Sequence, residues 1–314
     1  MAKRKKKWLI AVAALVLLAG AAALLWQPAL RWYRRAAKLP DENGMYQVGE
    51  HWLQSLAPLD EASVQNFAKK LLALQEKYLT DENQVFYAIV PDKAYFLQDS
   101  GYPVLDYARM DELLNTGLAG WPRIDLTKAL SLEDYYYTDN HWRQEKLGGV
   151  VDALGKAMGF TVDMSAFTAH QYEGFVGAYG KYIPGRPAAE TLVWLTSADT
   201  DSAVVNNWQY PDMHNVYDTA RLDTEVPYDL YLSGASPVLR IENAHAASDK
   251  ELIIFRDSYA SALAPLLVGQ YRTITLIDLR YMASALLPQY VEFTDQDVLF
   301  LYSTWVVNSS AMLR

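Results

Sequence analysis

The sequence predicts an α/β fold of three layers, with a largely parallel sheet between helices. Apolar, β-prone runs stand at Val85 to Val90, Leu252 to Phe255, Thr273 to Ile277 and Val298 to Tyr302. Helical periodicity precedes the first of them, and the second passes through a short turn into a helix-like stretch. Strands that alternate with helices in this way pair in parallel and need crossover connections, which lay the helices on the sheet faces.

Taken in chain order, the first element is not part of that domain. Lys3, Arg4, Lys5, Lys6 and Lys7 precede an uncharged run from Trp8 to Trp26, which as a helix would reach about 28 Å and match a bilayer core. The basic cluster would stay cytoplasmic, with Trp8 and Trp26 at the interfaces and the rest of the chain outside. A cleaved signal peptide is the rival reading, because Ala21, Ala22 and Ala23 are small residues near the end of the run. The run continues through Leu24, Leu25 and Trp26, which favours an uncleaved anchor. The expected division is a tail at 1–7, an anchor at 8–26, a basic juxtamembrane linker at 27–44 and an extracytoplasmic domain at 45–314.

Within the domain, Asp60 to Leu79 reads as an amphipathic helix, with Val64, Phe67, Leu71 and Leu74 on one face. Val85 to Val90 then reads as a buried strand ended by Pro91. From Trp142 onward Leu147, Val150, Val151, Leu154 and Met158 recur at helical spacing, so a helix is expected directly after His141. Residues 160–250 are rich in Tyr, Asp, Asn and Pro, and predict loops, short strands and a hairpin insertion. The last third predicts strand, turn and helix from Leu252 to Val268, then two further strands.

Composition narrows the chemistry. The net charge is −9 and the positive charge is concentrated in the first 38 residues, so the domain has no basic face for nucleic acid. Cysteine is absent, which excludes thiolate nucleophiles, disulfides and cysteine-ligated metals. No cofactor motif is present. Asp139 with His141 offers two possible metal ligands, but no second pair of His or acidic residues is clustered elsewhere.

Two short motifs carry candidate chemistry. Ser258 stands where a strand hands over to a helix, a position that exposes a hydroxyl above a sheet edge beside backbone N–H groups. The same pattern also fits Asp257 and Ser258 as plain helix caps. Asp139 and His141, two apart in extended backbone, point the same way. The carboxylate can then fix the imidazole tautomer and leave the other ring nitrogen to accept a proton from a serine. Of the five histidines only His141 has an acid at this spacing within an aromatic-dense segment, although a loop histidine with ordinary hydrogen bonds fits the pattern as well.

The stretch Tyr136-Tyr137-Thr138-Asp139-Asn140-His141-Trp142 resembles the motif of the DHHW proteins, with Asn140 in the place of their first histidine. Arg256-Asp257-Ser258-Tyr259-Ala260 is similar to their serine motif, itself related to the GDS block of SGNH hydrolases. Val90-Pro91-Asp92-Lys93, Phe175-Val176-Gly177, Leu232-Ser233-Gly234 and Ile277-Asp278-Leu279-Arg280-Tyr281 extend the likeness over about residues 45 to 310. DHHW proteins are in turn similar to the SGNH-like domains of alginate O-acetyltransferases. The resemblance implies an SGNH-hydrolase-like three-layer α/β/α sandwich with permuted motif order. It further implies Asp139 as orienting acid, His141 as general base and Ser258 as nucleophile.

The implied activity is O-acyl transfer, of acetyl above all, on an envelope polysaccharide, with water-using esterase activity or non-catalytic glycan binding as alternatives. Acetyl-CoA cannot pass one helix, so a transferase of this design needs a multi-pass membrane acyltransferase partner. Arg280 is expected to hold an anionic or hydroxyl-rich substrate or to form a salt bridge, and Asn308 to offer an amide to an oxyanion or to serve a turn. Trp142 is expected to pack, with a stacking role against sugar.

Overall fold

The computed structural model describes residues 28–185 and 187–314, together with Gly20 and Trp26. The expected tail and nearly all of the expected anchor lie outside the described residues. Among the described residues no helix is long and apolar enough to cross a membrane.

The domain opens with a small hairpin of β1 (Met45–Val48) and β2 (His51–Gln54), turned at Gly49 in left-handed backbone. Helix α1 (Glu61–Tyr78) follows, capped where the Asp60 carboxylate accepts from Ser63 N, and it buries Val64, Phe67, Leu71 and Leu74 as its periodicity predicts. Each such buried apolar side chain contributes about 1.5–3 kcal/mol over leaving it exposed. After β3 (Val85–Val90) come α2 (Tyr107–Gly117) and α3 (Gly148–Met158). The middle of the chain holds β4 (Thr168–Phe175), β5 (Glu190–Thr196), α4 (Ala198–Ser202), β6 (Val204–Asn207) and β7 (Val238–Glu242). The last part is β8 (Glu251–Arg256), α5 (Tyr259–Leu263), β9 (Thr273–Ile277), β10 (Asp297–Ser303) and α6 (Thr304–Asn308).

The central sheet is mostly parallel and has the order β3-β10-β8-β9-β7-β6. The first four strands run in parallel, whereas β7 and β6 join antiparallel. Apolar residues fill both faces. Val90, Ile254, Leu276 and Leu301 pack on one side with α3 and α5. Ile253, Phe255, Ile277 and Phe300 pack on the other with α1, α2 and α6. Burial on both faces explains why the parallel strands read as continuous apolar runs.

The structure departs from the sequence expectations in three places. No helix starts at Trp142. Tyr135 bridges to Trp142, whose indole N–H donates to Tyr259 O, and a 3₁₀ turn at Gln144–Lys146 intervenes before α3. These contacts tie the segment to α5 and delay the helix. The stretch expected as one helix at 260–268 divides into α5 and a 3₁₀ turn, Ala264–Leu267, at Pro265, which has no N–H to continue the helical ladder. Within 160–250, β4 and β5 form the expected antiparallel pair, but β6 and β7 extend the central sheet.

Parallel topology gathers chain ends. The turn after β3 carries Asp92 and Lys93, the turn after β8 carries Asp257 and Ser258, and β10 ends in Ser303, with Thr304 opening α6. All six line one cleft of about 280 Å³. The carboxyl ends of parallel strands are where open α/β sheets present groups to ligands.

Candidate active site

Ser258 lies in the turn after β8 and makes no capping bond to α5. Asp257 takes the structural part alone: its buried carboxylate accepts from Tyr259 N (3.1 Å) and from Ser303 N (2.7 Å), which pins the turn to the end of β10. The Ser258 hydroxyl is therefore free for other use, and it meets His141, with Oγ 2.7 Å from Nε2. The other ring nitrogen, Nδ1, lies 2.6 Å from Asp139 Oδ1. Asp139, His141 and Ser258 thus form one hydrogen-bonded chain, with His141 and Ser258 117 residues apart in sequence.

The carboxylate end of this chain is buried, and the hydroxyl end is partly open to the cleft. Burial works against the Asp139 charge. The adjacent imidazole, together with N–H groups of Ala178 and His141, outweighs that cost and holds the carboxyl below its ordinary value. Ala178 N donates to Oδ2 at 2.7 Å, leaving Oδ1 for the imidazole and for His141 N at 2.9 Å. Gly177 makes this approach possible, because a Cβ there would lie 2.3 Å from the Asp139 Cβ. The imidazole stacks on Tyr228, with ring centroids 4.0 Å apart and planes 12° from parallel. Tyr259 OH donates to Asn140 O at 2.7 Å and ties the intervening residue to α5.

An imidazole with a buried carboxylate on one nitrogen and a hydroxyl on the other can take the hydroxyl proton as the oxygen attacks an electrophile. The cleft around it is walled by Leu53, Gln54 and Leu56 from the β2 side and by Tyr179, Tyr182 and Trp305, the last two half exposed. Substrate-sized groups can therefore reach Ser258 past aromatic rings.

Three residues expected to touch substrate sit elsewhere. Arg280 pairs through two nitrogens with the buried carboxylate of Asp278, at 2.9 and 2.6 Å, and does not line the cleft. Its guanidinium is engaged in that ion pair. Asn308 is a structural clasp, accepting from Asp60 N and donating to Leu56 O and Pro58 O. Its amide is thereby satisfied at both ends. Trp142 is wholly buried in the core below the cleft.

Other residues of the site carried no role in the sequence reading. Lys93 and Glu190 are buried beside the Asp139 segment, Gly177 and Ala178 cradle its carboxylate, and Tyr228 supports the imidazole. Gly177 and Lys93 fall in segments that the resemblance marked, which was a usable signal. Glu190 had none, since its bonds to Tyr137 and Thr138 cross about fifty residues.

No family model matches the sequence, and no curated protein matches it. Solved structures do match. A DHHW family protein from Eubacterium siraeum superposes with a TM-score of 0.68 at 21% identity, covering 87% of this chain and 94% of that one. PatB1 of Bacillus cereus superposes with a TM-score of 0.64 at 17% identity, covering 86% and 98%. The same protein with a sulfonyl adduct gives 0.62 at 18% identity, covering 84% and 97%. In fold, the chain is similar to a DHHW family protein and to PatB1.

Proposed function

We propose that this protein is a serine-dependent O-acyltransferase, probing its acceptor through the cleft above Ser258, with acetyl as the group moved and an envelope polysaccharide as the acceptor. The single observation that carries the reading is the hydrogen-bonded chain from Asp139 through His141 to Ser258, opening into that cleft. In this reading the fold is SGNH-hydrolase-like with the motifs in permuted order, acid and histidine before serine. Residues 8–26 anchor it in the membrane with the domain outside the cytoplasm.

The mechanism has two steps. His141 Nε2 takes the Ser258 proton while Oγ attacks the carbonyl carbon of an acyl ester or thioester, and Asp139 stabilises the imidazolium. The imidazolium returns the proton to the leaving group, and an acyl-serine remains. A glycan hydroxyl, deprotonated by the same imidazole, then attacks the acyl-serine and restores the Ser258 hydroxyl. Donor supply on the outer side calls for a multi-pass membrane acyltransferase as partner.

The test uses p-nitrophenyl acetate as donor, with Ser258→Ala and His141→Ala as controls, and oligosaccharide acceptors of envelope type. Nitrophenolate release that both substitutions abolish, with acetyl appearing on sugar, is the expected result. Release with acetyl passing only to water would make the protein an esterase. A folded parent protein with neither release nor reaction of Ser258 with a sulfonyl fluoride would overturn the catalytic reading and leave glycan binding.

A further inference from the structure

Asp139 and His141 belong to a loop, and a loop holds side chains to a fraction of an ångström only if its backbone is tied down. The ties on residues 136–138 are ionic and buried. The Lys93 ammonium, reached from the end of β3, donates to Tyr136 O at 2.9 Å and to Tyr137 O at 3.3 Å. From the opposite side, at the start of β5, the Glu190 carboxylate accepts from Tyr137 N at 2.6 Å and from Thr138 N at 2.7 Å. A cation thus takes carbonyls and an anion takes N–H groups of the same short stretch, each matching the backbone dipole it meets.

The contacts continue to Asp139. Glu190 Oε1 also accepts from the Thr138 hydroxyl at 2.7 Å, which aims the hydroxyl oxygen at Gly177 N, a donor at 2.9 Å. Gly177 leads into Ala178, whose N–H holds Asp139 Oδ2. Arg143 pairs with Glu190 at 2.8 Å, so the carboxylate is held by a cation as well as by the loop backbone. Lys93 is 3% exposed and Glu190 8%. Burying two charges without function is costly, and here each is placed so that its partners are the backbone of the candidate site.

We propose that Lys93 and Glu190 act as positioning residues, an ionic clamp on residues 136–138 that sets the Asp139 carboxylate and hence the His141 ring against Ser258, with the Thr138 hydroxyl as the link. The kinetic part of this inference rests on Ser258 being the nucleophile. The geometric part does not. Neither clamp residue touches the Ser258 hydroxyl, and Glu190 and Thr138 lie outside the cleft lining, so loss of the clamp through either of these two lowers the rate of the chemical step and leaves substrate affinity nearly unchanged. Lys93 lines the cleft, and its variant is read by the His141 resonance alone, which should shift or broaden.

The variants are Thr138→Val, Thr138→Ser, Glu190→Gln and Lys93→Met in the full chain. Thr138→Val keeps the shape and removes the hydroxyl, and Thr138→Ser restores it, so this pair reports on the clamp even if a charge variant does not fold. Two readouts are needed: the rate of Ser258 modification by phenylmethylsulfonyl fluoride, with kcat and KM on p-nitrophenyl acetate, and the low-field proton NMR resonance of the His141 Nδ1–H. Thr138→Val and Glu190→Gln should slow modification and kcat by about 10- to 100-fold with KM within about twofold, because small misplacements of a base cost that much. The resonance should shift or broaden in both, and Thr138→Ser should behave as the parent does. Folded Thr138→Val and Glu190→Gln proteins with parental rates and an unmoved resonance would overturn the clamp. If the parent itself is not modified, the nucleophile reading fails, and the resonance alone decides the clamp.

Discussion

Ser258 and His141 meet at 2.7 Å but come to that point by different means. The serine side is regular structure: β8 lies between β10 and β9, apolar on both faces, and Asp257 staples its end to β10. The histidine side is a loop whose strongest holds are Lys93, Glu190, Thr138 and the N–H of Ala178. Packing fixes the first through many weak, interchangeable contacts, and directed polar bonds fix the second through a few that cannot be exchanged. The two halves should therefore fail differently when perturbed. Stability belongs chiefly to the serine side, and precision to the histidine side.

The largest test of that contrast removes the histidine side outright. Asp139→Asn and His141→Ala should each reduce turnover of p-nitrophenyl acetate by about 10⁴-fold while the fold persists by circular dichroism. Next comes the charge buried under the loop. Burial pushes the Lys93 amine from 10.5 down to about 7, against the pull of Asp139 and Glu190. The folded protein thus releases this proton at lower pH than the unfolded chain, so the cost of burying the ammonium is full below pH 7 and fades as pH rises toward 10.5. Relative to Lys93→Met, the parent should gain on the order of 4 kcal/mol in urea unfolding across that window, and a flat difference would mean the ammonium is not buried.

A third substitution strikes where loop and acid touch. Gly177→Ala should push Asp139 away from the imidazole and reduce turnover by about 10²-fold, with the crystal structure of the variant showing a lengthened Asp139–His141 distance. The smallest effect is expected on the serine side. Ile254→Val in β8 should cost about 1 kcal/mol of stability and leave turnover within about threefold of the parent. A larger loss of turnover there would erase the distinction between the two halves.

That distinction also explains what was legible in the sequence. The strands β3, β8, β9 and β10 announce themselves as apolar runs because both faces are buried, and α1 by the spacing of Val64, Phe67, Leu71 and Leu74. Asp139, His141 and Ser258 were legible through spacing, element context and family likeness together. The short strands β1, β2, β6 and β7 were not, since four or five residues of mixed polarity leave no period to read. The clamp was invisible because its partners are neighbours only in space, Lys93 and Glu190 reaching one stretch from opposite sides. For Arg280 and Asn308 the sequence left a substrate contact and a structural role both open, and the structural role is the one taken. Residue type suggested ligand contact, and the deciding partners, Asp278 two residues away and the carbonyls of Leu56 and Pro58, are ordinary structural acceptors.

The order of strands has a consequence for how the molecule can be made. Strand β10 comes last in sequence yet stands second in the sheet, where it joins β3 to β8, pairing Val298 with both Val85 and Ile253. A chain lengthening from its N-terminus cannot close the sheet until residue 303 has emerged. Until then β3 and β8 present bare, apolar edges that invite pairing with other chains. Protection of the nascent polypeptide during that wait is a demand written into the topology, and a chain stopped between Arg256 and Asp297 would keep both edges open.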